Sequence, residues 1–215
     1  MGAHLHEHGI SLFTVPKCAC SSLKAFFFHH ENGFPWREFS VDGKVQSIHM
    51  VGYRNRRFVE ERERTRKGYW RIALVREPVA RILSCWSHRV VHHGLIKSRT
   101  LSEEDRAEGL TASPDLETFV RHLDRYRRAS KDIHFHSLPL ARFLGRKPEY
   151  FDRVYGFREI ETLAGDVNAR AGRDHPMPRL QSGGPKPKRE DLSAEAIERI
   201  ETLYAEDRAL FGAHF

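Results

Sequence analysis

No stretch of this sequence stays apolar for the roughly 20 residues a bilayer-spanning helix needs. The first eight residues are polar and rich in histidine, without the apolar segment of a secretory signal. Cysteine is scarce: the three present are an odd number, and Cys18 and Cys20 lie too close for an ordinary bridge. A disulfide framework is excluded, and reduced thiols in a cytoplasmic setting are expected. There is no His-Glu-x-x-His motif, and no second cysteine pair completes a zinc site with Cys18 and Cys20, so no metal is expected. His4, His6 and His8 with Glu7 read as a polar tail. Zinc-finger, RRM-like and basic-zipper spacings are missing, which argues against nucleic acid as a partner. Gly-x-x-x-x-Gly-Lys-Ser/Thr is missing too, so no Walker A loop is present.

What is present describes a packed globule. A length of 215 residues suits one domain, 1–215, and 14 phenylalanines supply a core. A net charge of +7, from 36 Lys and Arg against 29 Asp and Glu, favours anionic partners. Residues 10–15 read as a buried strand, 16–22 as a loop, and Leu23, Phe26 and Phe27 as the apolar face of a helix ending near Gly33. The same logic recurs: 71–75 is a strand, and Pro78 opens a helix with Val79, Ile82, Leu83, Trp86 and Val90 on one face. Residues 55–67 suggest a solvated helix and 97–112 a mobile polar insertion. Ser113 and Pro114 suggest the cap and first turn of another helix. A third strand, 153–157, leads to a helix ending at Gly172; a Pro-, Gly- and Lys/Arg-rich loop covers 173–189, and Ser193 caps a last helix. Strands alternating with helices predict an α/β fold with a mostly parallel, P-loop-like sheet, whose ligands sit at the carboxyl ends of the strands.

Two loops at such ends carry the chemistry. Pro16-Lys17-Cys18-Ala19-Cys20-Ser21-Ser22-Leu23-Lys24 joins a strand to a helix. Its small residues let backbone N–H groups approach an anion at the positive end of the helix. Ser21 and Ser22 offer hydroxyls, and Lys17 places a full charge at the loop mouth. Val75-Arg76-Glu77-Pro78, followed by Arg81 and Ser84, is the second. Arg76 at a strand end suits a phosphate, with Ser84 two helical turns on, while Arg81 is expected to brace the loop or pair with an acid.

Together these segments resemble the PAPS-dependent sulfotransferases, enzymes that use 3′-phosphoadenosine 5′-phosphosulfate (PAPS). The first loop looks like their 5′-phosphosulfate loop and the second like their 3′-phosphate motif. The Ala-Cys variant of the first loop is closest to the carbohydrate branch, which includes the HNK-1 and chondroitin/dermatan sulfotransferases. Asp132-Ile133-His134-Phe135, Tyr150-Phe151-Asp152-Arg153-Val154-Tyr155-Gly156 and Leu203-Tyr204-Ala205-Glu206-Asp207 agree with that branch. His134-Phe135-His136-Ser137-Leu138-Pro139 departs from the branch's aromatic-Pro-Gln pattern, and the membrane anchor of animal members has no counterpart, as in a bacterial-type member.

The resemblance implies a sulfotransferase fold, PAPS as co-substrate and a hydroxyl-bearing acceptor, a glycan or glycoconjugate. It implies that Lys17 meets the leaving oxygen while Cys18, Ala19, Cys20, Ser21 and Ser22 hold the 5′-phosphate. Arg76 and Ser84 would take the 3′-phosphate. Related glycan enzymes place a catalytic histidine after the first strand–helix unit, which selects His49 as the base; Glu38, His134 and His136 are the other candidates. Lys186, Lys188 and Arg189 in the basic loop are candidates for meeting the nucleotide or an anionic acceptor. Two other readings stand beside this one: a P-loop kinase-like phosphotransferase, and a basic polyanion-binding module without catalysis.

Overall fold

Alternation of apolar side chains along short strands builds the sheet that organises this protein. A computed structural model describes residues 2–180 and 183–215. The chain forms two compact units, residues 2–75, 140–180 and 213–215 in the first, and 76–139 and 183–212 in the second.

In the first unit, β1 (Gly2–Leu5) pairs antiparallel with β2 (Ile10–Phe13). After α1 (Cys20–Asn32) come a small hairpin of β3 (Phe39–Val41) and β4 (Lys44–Gln46), then α2 (Phe58–Arg64). Strand β5 (Trp70–Val75) pairs parallel with β2, and β6 (Arg153–Gly156), which a later part of the chain supplies, pairs parallel with β5. The sheet order is β1-β2-β5-β6, mostly parallel and flanked by helices, as an α/β sulfotransferase fold requires. Because side chains alternate across a strand, Ile10, Leu12, Ile72, Leu74 and Tyr155 share a core with Leu23, Phe26 and Phe27 of α1. Phe13 instead meets Phe58 of α2 and the rings of Tyr150 and Phe151.

The second unit is helical. Helix α3 (Pro78–Cys85) continues into a π-helical turn over Trp86–His92. Helices α4 (Glu103–Ala107), α5 (Leu116–Arg121), α6 (Leu123–Ala129) and α7 (Lys131–Ser137) follow. The chain then passes through α8 (Ala141–Leu144) and α9 (Ile160–Ala171) of the first unit. It returns with α10 (Ala194–Leu203) and α11 (Ala205–Phe211). Val79, Ile82, Phe119, Leu123, Ile200 and Tyr204 are among the residues that close this second core. None of the three cysteines forms a disulfide: Cys18 is buried in the first unit, Cys85 in the second, and Cys20 is half-buried.

Three expectations are corrected. The histidine-rich start is a polar tail only in part: His6–His8 form an unburied 3₁₀ turn, but His4 belongs to strand β1 and is buried, with Ser11 Oγ and Glu61 Oε2 both 2.9 Å from its ring nitrogens. The segment 97–112 is not wholly solvated, since Leu101 and Leu110 bury into the second core on either side of α4. The cap of α5 is Asp115, not Ser113: its carboxylate accepts from the Thr118 amide at 2.7 Å. The β3–β4 hairpin was not anticipated; its strands are only three residues long and largely exposed. The 173–189 loop is irregular up to a single 3₁₀ turn at Arg189–Asp191, with Gln181 and Ser182 outside the described residues.

Candidate active site

Strands β2 and β5 run parallel, so their carboxyl ends emerge at the same end of the sheet. The loop after β2 bends sharply because Lys17 and Ala19 both adopt the left-handed conformation, at φ 67° and 52°. Residues with a Cβ rarely do so, at a cost of roughly 1–2 kcal/mol each. Among the described residues the one other non-glycine case is Asp42, in the β3–β4 turn. Backbone strain gathered in one loop marks a candidate functional segment, and left-handed residues are one way a chain turns successive N–H groups toward a common point. No side chain caps the N-terminus of α1, and its first turn holds no acidic residue. The positive end of that helix therefore opens on the loop without a neutralising carboxylate.

Ser21 and Ser22 stand in the first turn of α1, both buried. The Ser22 hydroxyl accepts from the Leu180 amide at 3.0 Å, which leaves its own O–H as a donor. Ser21 Oγ lies 2.8 Å from His49 Nε2. His49 is held there by a tight turn in which Met50 N donates to Ser47 O and Tyr53 N to Ile48 O, both at 2.9 Å. The buried Ile48 anchors that turn in the core. The first loop and the predicted histidine, 28 positions apart, are thus brought together.

Behind them sits a residue the sequence did not single out. Lys24 is fully buried on α1. Its Nζ reaches Tyr53 O at 2.6 Å, Asn55 Oδ1 at 3.1 Å and His49 Nδ1 at 3.1 Å. Burial pushes its pKa down to about 8 from 10.5; nearby Cys20 and Glu61 favour the ammonium and Arg56 opposes it. Tyr53 in turn donates its hydroxyl to Glu31 at 2.5 Å. A signal existed: a lysine inside Leu23-Lys24-Ala25-Phe26-Phe27-Phe28 has no solvated face to occupy.

The second loop belongs to the second unit. Arg76 follows β5 directly and is half-buried. Glu77 caps α3 by accepting from the Ala80 amide at 2.8 Å, and Pro78 fills the first turn, where its missing N–H costs nothing. Ser84 lies on α3, half-buried. Arg81 is a brace: its guanidinium donates to Leu138 O at 2.7 Å and faces Asp207 at 3.5 Å, with both side chains buried. Arg189 of the basic loop is taken up by Glu201 at 2.6 Å and Glu77 at 3.5 Å, while Lys186 and Lys188 are exposed.

The other base candidates are placed elsewhere. Glu38 is exposed between α1 and β3, and His134 is exposed on α7. His136 is tied between Arg89 at 2.6 Å and Asp132 at 3.0 Å. No group of three or more His, Cys, Asp or Glu side chains among the described residues could hold a metal ion. No helix among them is long and apolar enough to cross a membrane.

A mostly parallel sheet flanked by helices, with a strained, serine-bearing loop between β2 and α1, defines an α/β protein. The family model described as "Sulfotransferase family" matches residues 5–212, and the chain belongs to that family. Neither the curated proteins nor the solved structures contain a match.

Proposed function

We propose that this sulfotransferase moves the sulfuryl group of PAPS to a hydroxyl of a carbohydrate acceptor. The observation that carries the reading is the strained loop at Lys17 and Ala19 with His49 against Ser21. Loop amides with Cys18, Ala19, Cys20, Ser21 and Ser22 suit the 5′-phosphosulfate, and Arg76 with Ser84 the 3′-phosphate. Sulfuryl transfer resembles phosphoryl transfer: attacking and leaving oxygens are in line, and the protein positions groups and stabilises charge. His49 takes the proton of the acceptor hydroxyl as its oxygen bonds to sulfur. The sulfur–oxygen bond to the 5′-phosphate breaks, and Lys17 meets the charge that develops on that oxygen. The Ala-Cys variant of the loop supports a carbohydrate acceptor by resemblance to that branch.

The test is thermal shift with 3′-phosphoadenosine 5′-phosphate against ADP and AMP, since a ligand that binds the folded state stabilises it. The 3′-phosphorylated nucleotide is expected to raise Tm well above the other two. Equal shifts for all three would remove PAPS from the reading, and a Mg²⁺-dependent shift with ATP would favour a phosphotransferase. Lys17→Ala should lower turnover by on the order of a hundredfold while nucleotide affinity changes little.

A further inference from the structure

An ammonium has three N–H donors and no acceptor. Lys24 faces three acceptors: Tyr53 O, Asn55 Oδ1 and His49 Nδ1. A charged Lys24 therefore requires the lone pair of His49 at Nδ1, and the ring proton at Nε2, where it donates to Ser21 Oγ. In that arrangement both ring nitrogens are committed, and Nε2 has no lone pair for a hydroxyl proton. A neutral Lys24 satisfies the same cage differently. Its two N–H groups keep Tyr53 and Asn55, its lone pair accepts from His49 Nδ1–H, and Nε2 carries the lone pair. Ser21 can then donate to Nε2 until the acceptor hydroxyl takes its place there, the serine O–H passing to the bound phosphate.

We propose that Lys24 is a positioning residue that selects the tautomer of His49, so that losing the Lys24 proton makes Nε2 competent as a base. This deepens the proposed role of His49 and rests on it. The proton balance closes: Lys24 passes one proton to Nδ1 while Nε2 releases one to solvent, so the pair loses a single proton as a unit. In the reaction Nε2 then takes the hydroxyl proton, and Nδ1–H continues to donate to Lys24. The groups that face Lys24 are Cys20 on its own helix, Asn55, the Tyr53 carbonyl and Arg56 on the following segment, and Glu61 of α2. Burial lowers the Lys24 pKa to about 8. The charged, base-blocked pair is therefore the form below that pH, and the competent pair accumulates above it.

Nitrogen-15 NMR of ring-labelled histidine reads the tautomer directly on the wild-type protein, with a His49→Gln spectrum for assignment. Neutral His49 is expected as the Nε2–H tautomer below pH 8 and the Nδ1–H tautomer above it. Turnover should rise about tenfold per pH unit until the same midpoint, then level off. Lys24→Arg is charged at every pH, so it should hold His49 as Nε2–H and remove the rise in turnover. If His49 keeps one tautomer across the whole range in the wild type, the proposal is overturned, whether or not the variant folds. A clean tautomer switch with full turnover in His49→Ala would instead overturn His49 as the base, leaving the Lys24 pairing in place.

Discussion

At the scale of single residues, Ala19 bears the clearest local cost. At φ 52° its Cβ crowds the backbone, and glycine would relieve this while losing about 0.5–1 kcal/mol of unfolded-chain entropy. Ala19→Gly should therefore be neutral to about 1 kcal/mol stabilising, whereas Ala19→Val should be destabilising by more, since β-branched residues fit this region worst. Urea midpoints in the order Gly, Ala, Val would bear this out, and equal midpoints would mean that the loop relaxes at little cost. The loop's small residues and hydroxyls make it stand out in the sequence as a candidate anion site. Its left-handed backbone was not legible, because the usual signals for positive φ are glycine and asparagine, and neither occurs between Pro16 and Ser22. His49 was reached through resemblance, whereas its contact with Lys24 needed the fold, which alone brings α1 and the 48–55 segment together.

Among elements, the caps separate what local sequence settles from what it leaves open. Ser193 caps α10 as its residue type predicts: its Oγ accepts from the Ala196 amide at 3.1 Å. Before α5, Ser113 and Asp115 are both good caps by residue type, and the structure uses Asp115. Asp115→Ala should cost about 1 kcal/mol and Ser113→Ala close to nothing, compared by denaturation. The Thr118 amide holds the Asp115 carboxyl below its ordinary 3.8, so this contribution is present above that pH and fades as the pH falls below it. Strand β1 was missed because Gly2-Ala3-His4-Leu5 carries no β-rich run. A buried imidazole gives no local signal of the serine and glutamate that satisfy it. Strands β2, β5 and β6 were found because their apolar runs are short, bounded by turn residues and followed by helical periodicity.

Across the whole molecule, stability rests on two cores, and the helical one contains an ion pair. Arg81 and Asp207 are 1% and 0% exposed, so removing Arg81 takes a cation away from a carboxylate that is itself shut off from water. Arg81→Met should cost about 3–5 kcal/mol, and Arg81→Met with Asp207→Leu should recover much of that loss. Additive losses in the double variant would show that the pair is not the source. The three cysteines give this architecture an experimental use. Cys20 is half-buried, while Cys18 in one unit and Cys85 in the other are sealed from solvent. A thiol-directed reagent reaches a sealed cysteine only when the structure around it opens. Its alkylation of Cys18 and Cys85, resolved by mass spectrometry, then times the opening of each unit separately in the unmodified protein, with Cys20 marking the rate of an accessible thiol in the same tube.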